Sequence, residues 1–254
     1  SRFHHLFQQF LRERLRDQYG AAEIATLHLR ACRWFEDRDL IEEALYHALA
    51  AGHAPLAADI IARHRHTLYN QEQFARLTRW LRLLPAEARE HHPELLLAEA
   101  RIATMNWRFI EAAVFLDRAE VELTRSTLDA EAATVAAGEL LALRGILYFW
   151  SGEAERVADV SRRVLAMLPE EQSHLRGLAH TGMTTSAYLM GNLDDGLAYL
   201  DLQLAETSPE NPAFAWLLQT QAFLYWLHGD LTRLRQSATR LLQAGAAMEL
   251  ADQQ

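Results

Sequence analysis

Three glycine-centred turns recur along the second half of the chain at nearly constant spacing. Their glycines, Gly152, Gly191 and Gly229, lie 39 and 38 residues apart. The segments read FWSGEAERV (149–157), YLMGNLDDG (188–196) and YWLHGDLTRL (225–234). In each one, a stretch with aromatic residues precedes the glycine, and an acidic, amphipathic stretch follows it. A repeat of this length predicts stacked helix pairs, because one pair cannot bury its own apolar face.

The composition favours helices throughout the chain. Half of the 254 residues are hydrophobic, and Ala, Leu, Glu, Arg and Gln outnumber the β-branched residues that strands require. Three prolines each follow a residue that can cap a helix, at His92-Pro93, Ser208-Pro209 and Asn211-Pro212. We expect each of these prolines in the first turn of a helix. The sequence therefore predicts an all-α chain of short antiparallel helix pairs.

One repeat has the residue pattern of the tetratricopeptide repeat (TPR). A small residue, an aromatic residue, a turn glycine, a leucine and a terminal proline occur at Gly145, Tyr148, Gly152, Leu165 and Pro169. The next two copies are degenerate and exceed the usual roughly 34 residues. Weaker copies centre on Ala44, Ala75 and Ala112. The resemblance implies a right-handed superhelix of about six TPR-like antiparallel helix pairs over residues 21–254, with an insertion or long loop at 124–134.

The N-terminal part resembles the MalT-like regulators, the large ATP-binding members of the LuxR group. Four segments occur in the order and spacing of that family: RFHHLFQQFLRERL (2–15), LIEEALYHALAAGH (40–53), LYNQEQFARLTRWLRLLPAE (68–87) and HHPELLLAEARI (91–102). The first matches a family phrase at Arg2, Phe3, His4, Leu6, Phe7, Phe10 and Leu11. By this resemblance, residues 1–20 are the end of a winged-helix part with a connecting helix, and residues 21–254 are a helical-repeat sensor domain.

The resemblance also implies a longer parent protein. The family joins a nucleotide-binding switch, a helical-repeat sensor and a DNA-binding helix-turn-helix. This sequence contains neither a G-x-x-x-x-G-K-[ST] phosphate loop nor a recognisable helix-turn-helix. We therefore expect ATP binding and DNA binding to belong to other domains of the same regulator, and we expect no cofactor in this segment.

Charge and cysteine content restrict the partners. The formal net charge of −9 and the isoelectric point near 5.7 argue against a nucleic-acid-binding surface. The single cysteine, Cys32, excludes an intrachain disulfide and fits the reducing cytoplasm. The most apolar stretch, residues 135–150, contains Glu139 and Arg144, so we expect no membrane span.

No residue pattern indicates catalysis or metal binding. A nucleophile motif of the form G-x-S-x-G is absent. The neighbouring histidines His4-His5 and His91-His92 point in different directions on a helix and do not share a metal ion. Acidic pairs such as Glu42-Glu43 and Asp194-Asp195 fit first helical turns, where they complement the helix dipole. The sequence predicts a protein that is not an enzyme.

The candidate binding site is the inner face of the first helix of each pair. Flat aromatic side chains beside hydroxyl and amide groups suit a carbohydrate or another neutral, ring-shaped ligand. Each aromatic residue is either core or groove wall; we assign Tyr148 and Tyr225 to the core, and Trp150 and Trp226 to the groove. The candidate groove residues are Arg101, Phe149, Trp150, Thr181, Thr185, Tyr188, Trp216, Gln219, Phe223 and Trp226.

Three functions are compatible with the sequence. The first is a signal-sensing domain of a transcriptional regulator that binds a small inducer, carbohydrate-like or otherwise neutral, or a regulatory protein. The second is a TPR scaffold that binds a partner protein or associates with itself without a small ligand. The third is a repeat module of a switch ATPase that does not regulate transcription.

Overall fold

The all-α prediction is confirmed in the part of the chain that the structure describes. The structure is a computed structural model that describes residues 10, 14, 18–209 and 211–251. These residues form thirteen α-helices and no β-strand. The helices are α1 (Ala21–Glu36), α2 (Ile41–Ala50), α3 (Ala54–Asn70), α4 (Phe74–Leu83), α5 (Ala86–Glu90), α6 (Pro93–Met105), α7 (Phe109–Arg125), α8 (Ala130–Trp150), α9 (Ala154–Met167), α10 (Ser173–Leu189), α11 (Leu193–Glu206), α12 (Pro212–His228) and α13 (Leu231–Ala251). Of the N-terminal family phrase, only Phe10 falls within the described residues.

Seven of the turns between these helices share one backbone geometry. Each contains a residue with positive φ, and the N–H of the following residue donates to the carbonyl five positions earlier, as in the Schellman motif. The N···O distances of these seven bonds lie between 2.8 and 3.0 Å. Glycine occupies the left-handed position in four of the turns, at Gly52, Gly152, Gly191 and Gly229; the other three turns use Asp39, Glu72 and Trp107.

The chain divides into two compact units. The first comprises residues 1–68 and 73–95, and the second comprises residues 69–72 and 96–254.

In the first unit, Arg76 of α4 donates two hydrogen bonds to the Glu42 carboxylate of α2, at 2.7 and 2.6 Å. These bonds lower the pKa of Glu42 to about 2. The buried Trp80 also donates its indole N–H to Glu42, at 3.2 Å, so one acidic side chain ties α2 to α4.

In the second unit, the first helices of successive pairs contact one another. Helix α10 packs against both α8 and α12, and it also contacts its chain neighbours α9 and α11. Buried leucines and alanines of α6, α7 and α8 form one core cluster, and leucines of α11 and α12 form another. Helices α8, α10 and α12 therefore lie in a row within this unit, and the candidate site lies along them.

Helix α8 is long and apolar enough, by length and composition alone, to cross a membrane. In the structure it contacts α7, α9 and α10. Two charged residues lie in its middle. Glu139 is buried, and Arg144 makes ion pairs with Asp117 and Glu120 at 2.8 and 2.7 Å. The apolar surface of α8 is thus used in part for packing between helices.

Two local predictions are wrong. Pro93 and Pro212 begin helices, but Pro209 lies in the loop between α11 and α12. The Asn211 side chain caps α12 by accepting a hydrogen bond from the Ala213 N–H at 2.9 Å, so the helix begins at Pro212 and leaves Pro209 outside it. The expected insertion at 124–134 shortens to residues 126–129, because α8 begins immediately after its cap residue Asp129.

Candidate ligand-binding site

A cavity of about 160 Å³ lies between α8, α10 and α12. Side chains from these three helices and from Ser161 of α9 form its wall. Trp150 is the one exposed residue of the wall, with 42% of its surface accessible, so it stands at the mouth. The lining residues are Ala142, Gly145, Ile146, Phe149, Trp150, Ser161, Leu178, Thr181, Gly182, Thr185 and Phe223.

Two glycines bring α9 close to the helices beside it. A Cβ atom at Gly145 would lie 3.2 Å from Cγ2 of Val160, and a Cβ atom at Gly182 would overlap the Ser161 hydroxyl. A larger side chain at either position would push the helices apart. These glycines therefore determine how closely α9 approaches α8 at Gly145 and α10 at Gly182.

Two of the three hydroxyl groups of the cavity wall, those of Thr181 and Thr185, are already used within the protein. Thr185 Oγ1 donates to the Thr181 carbonyl at 2.9 Å, and Thr181 Oγ1 donates to the Gly177 carbonyl at 2.9 Å. Thr181 Oγ1 also lies 2.6 Å from Thr220 Oγ1, which joins α10 to α12. No lining residue carries a charge. The wall is thus mainly apolar, with a few hydroxyl oxygens that retain acceptor capacity.

An aromatic cluster extends from the cavity wall to the protein surface. Trp150 lies 5.1 Å from Phe149 between ring centroids, and Phe149 lies 6.0 Å from Phe223. On the outer side, Trp150 contacts Trp107 at 4.8 Å and Phe109 at 5.6 Å. Edge-to-face and offset contacts of this kind stabilise aromatic pairs beyond simple burial. The cluster holds Trp150 in place at the mouth from both sides.

The structure brings together half of the ten predicted groove residues. Phe149, Trp150, Thr181, Thr185 and Phe223 line the cavity. Trp226 is 55% exposed and extends the aromatic cluster, because its ring centroid lies 5.9 Å from that of Phe223. Two others lie elsewhere: Gln219 is exposed to solvent, and Tyr188 packs against the core of α11 and α12.

Arg101 and Trp216 belong to a separate, buried cluster. The Arg101 guanidinium lies 5.7 Å from the centroid of the Trp216 ring, and His174 contacts the same ring at 4.8 Å. His174 also packs on Tyr69 at 5.3 Å. Burial lowers the pKa of Arg101, and the nearby Tyr69 and Glu139 oppose that shift. The arrangement places a charged side chain in a core, near the buried Glu139, with Arg101 only 3% exposed.

Sequence reasoning did not identify several residues of the site. Trp107 and Phe109 support Trp150, yet the turn that carries them has no glycine to mark it. Ser161 lies on α9, the second helix of its pair, whereas the predicted groove residues all lie on the first helix of a pair. Its proximity to Gly182 depends on how α9 packs on α10, which residue spacing does not report.

One histidine near the cavity has a shifted pKa. His180 Nδ1 and the Tyr199 hydroxyl form a hydrogen bond of 2.6 Å between α10 and α11. Burial, assisted by the positive charge of Arg176, lowers the pKa of His180 to about 4. His180 is therefore neutral at physiological pH. Among the residues that the structure describes, no group of three or more His, Cys, Asp or Glu side chains is arranged to hold a metal ion.

The fold and the cavity together define a class of protein: an all-helical protein in which helices joined by similar tight turns enclose a small, mainly apolar cavity. No protein-family model matches the chain, and no solved structure matches it.

Proposed function

We propose that this chain is the effector-binding sensor domain of a transcriptional regulator, and that the cavity between α8, α10 and α12 holds a small-molecule inducer. The observation that carries the proposal is the convergence of Phe149, Trp150, Thr181, Thr185 and Phe223 on one cavity. These residues come from three successive helix pairs. A ligand that contacts all three favours the arrangement in which they fit it, because a ligand shifts a conformational equilibrium only through its different affinity for the two states.

The finer fold and the family belong to the same proposal. We assign the chain to a right-handed superhelix of TPR-like pairs; the repeated turn geometry and the row formed by α8, α10 and α12 support this assignment. The resemblance of residues 1–125 to MalT-like regulators supports a cytoplasmic parent with ATP-binding and DNA-binding domains elsewhere. In that setting the segment itself is not catalytic, carries no cofactor and contacts neither DNA nor a membrane. The sequence of the parent gene tests this assignment: a C-terminal helix-turn-helix supports it, and the absence of one overturns it.

The binding experiment uses tryptophan fluorescence and thermal melting. A panel of neutral ring compounds, sugars and amino acids is titrated into the chain, and binding raises the melting temperature because the ligand stabilises the folded state. Trp150 lies at the cavity mouth, so Trp150→Ala is expected to remove most of the fluorescence change. Trp34→Ala is the matched control, since Trp34 is similarly exposed, at 49%, but belongs to the other unit.

A protein-binding scaffold is the second candidate function. Helix α7 and the turn before it expose Trp107 (64%), Ile110 (87%) and Val114 (53%). Aromatic and aliphatic side chains of this kind are typical of protein interfaces. If no compound of the panel shifts the melting temperature while a partner protein or a second copy of the chain binds to this face, the scaffold replaces the small-ligand proposal.

A further inference from the structure

We propose that the ligand of this cavity is an uncharged, single-ring compound with at most one hydrogen-bond donor group, of the size and polarity of phenol, and that it is not a sugar. This inference rests on the proposed function and specifies the chemical class of the effector. Three properties of the cavity carry it: its volume, its lack of charge and the state of its hydroxyl groups.

The volume restricts the ligand to one ring. The cavity measures about 160 Å³. A cavity of roughly 150 Å³ lined by apolar side chains holds benzene, whereas pockets for drug-sized ligands measure roughly 300–1,000 Å³. A six-membered ring with one substituent fills the available space. A disaccharide would have to leave its second ring outside this volume, beyond Trp150 at the mouth.

The absence of charge in the wall excludes ionised ligands. The eleven lining residues are apolar, glycine or hydroxyl-bearing. Transfer of a carboxylate or ammonium group from water into such a site is costly unless an opposite charge pairs with it. The buried side chains Arg101 and Glu139 do not contribute to the cavity wall. A neutral ring therefore binds in preference to its acid or amine analogue.

The hydroxyl groups define how much polarity the ligand can have. The Thr185 proton is donated to the Thr181 carbonyl, so Thr185 Oγ1 offers the ligand only an acceptor. Thr181 Oγ1 is engaged by both the Gly177 carbonyl and Thr220. The third hydroxyl, that of Ser161, lies against Gly182. One O–H or N–H on the ligand can thus be satisfied at Thr185. The several hydroxyls of a sugar would lose their water partners and find too few replacements.

The aromatic side chains complete the match to a ring. Phe149 and Phe223 meet at an interplanar angle of 66°, and Phe149 and Trp150 meet at 72°. Rings inclined in this way present both edges and faces to a ring that lies beside them in the cavity, which is the preferred geometry for aromatic contacts. A planar ring with its donor group directed at Thr185 satisfies the apolar and polar parts of the wall together.

The test compares five probes by calorimetry and thermal melting: phenol, toluene, benzoate, glucose and sucrose. Phenol and toluene are expected to bind, and each is expected to raise the melting temperature by about 3–6 °C at ten times its Kd. Benzoate, glucose and sucrose are expected to leave the melting temperature unchanged. Thr185→Val keeps the side-chain shape but removes the acceptor, so it should weaken phenol binding about two- to tenfold and leave toluene binding unchanged.

A filling variant locates the bound ring. Ala142 lines the cavity, so Ala142→Leu occupies part of it and is expected to abolish phenol and toluene binding. The matched control is Ala205→Leu, the same substitution at an exposed position of α11. Circular dichroism and thermal melting establish that both variants fold; if Ala142→Leu does not, the contrast between phenol and toluene in Thr185→Val still decides the question.

The outcomes separate this inference from the proposed function. Binding of glucose or sucrose that Ala142→Leu abolishes, without binding of phenol or toluene, overturns the ligand class and leaves a small-molecule sensor. Binding of phenol to a folded Ala142→Leu variant at the affinity of the unmodified chain places the ring outside the cavity and overturns the inference. If neither the five probes nor the broad panel binds, the ligand class and the sensor function both fail.

Discussion

The contact between Gly182 and Ser161 allows a quantitative test of how closely α9 and α10 pack. An added Cβ at Gly182 would overlap the Ser161 hydroxyl and lie 3.3 Å from Ser161 Cβ and 3.5 Å from Val157 Cγ1. Replacing Gly by Ala in a helix interior gains about 0.5–1 kcal/mol in helix propensity. Overpacking a well-filled interior costs about 1–3 kcal/mol. The difference between these two terms is a destabilisation of up to about 2.5 kcal/mol for Gly182→Ala, which lowers the melting temperature by up to about 10 °C.

The double variant isolates the clash. Ser161→Ala removes the overlapping oxygen, so in the background of Gly182→Ala it should restore stability to the level of the unmodified chain or above it. The coupling between the two substitutions is expected to be about 1 kcal/mol or more, because the residues are in direct contact. Gly245→Ala on α13 is the control: no atom lies within 4 Å of an added Cβ there, so only the gain in helix propensity, about 0.5–1 kcal/mol, should appear.

Urea unfolding and thermal melting of the four variants provide the measurement. If Gly182→Ala stabilises the chain as much as Gly245→Ala does, α9 and α10 are not in close contact at Gly182, and the described width of the cavity is wrong. If Gly182→Ala destabilises the chain but Ser161→Ala does not rescue it, the clash involves Val157 or the backbone instead.

Three further substitutions test other parts of the second unit. Trp150→Ala is expected to cost about 1–2 kcal/mol in the free energy of unfolding, less than the 3–5 kcal/mol of a buried aromatic residue, because Trp150 is 42% exposed; urea unfolding measures this loss. Arg101→Ala leaves the buried Glu139 without the charge that compensates it and is expected to cost about 3–5 kcal/mol in the same assay; Arg101→Ala with Glu139→Gln should recover part of the loss. For His180, the folded-state pKa of about 4 lies below the unfolded value of 6.5, so the unfolded chain binds the extra proton first and stability falls as the pH drops from about 6.5 through 4. The pH dependence of the melting temperature should flatten over this interval in His180→Gln; an unchanged profile contradicts the burial of His180.

The repeated turns illustrate what local sequence can reveal. Gly152, Gly191 and Gly229 mark three turns because glycine reaches positive φ without a steric penalty. The turns at Glu72 and Trp107 have the same hydrogen bonds but no glycine. A non-glycine residue accepts the left-handed conformation at a cost of roughly 1–2 kcal/mol, which the packing of the flanking helices offsets. No local signal therefore distinguishes those turns.

The candidate site shows a similar division. Helical periodicity identified the inner positions of α8, α10 and α12, and Phe149, Thr185 and Phe223 do line the cavity. The same periodicity selected Arg101 and Trp216, which belong to the buried cluster instead. Periodicity reports the face of a helix on which a side chain lies. It does not report how near the next helix comes to that face, so it cannot separate a cavity wall from a filled core.

The sequence is sufficient to predict that this chain is helical, that its helices are joined by tight turns, and that aromatic and hydroxyl-bearing residues share one face of alternate helices. These properties follow from local rules, because backbone propensity, capping and periodicity depend on residues within a few positions of one another. The space of about 160 Å³ between α8, α10 and α12, with Trp150 at its mouth, depends instead on how the helices pack together. That space is a small difference between the volume enclosed by the helices and the volume of the side chains within it. Its width depends on contacts such as Gly182 against Ser161, which are made by residues 21 positions apart in the chain.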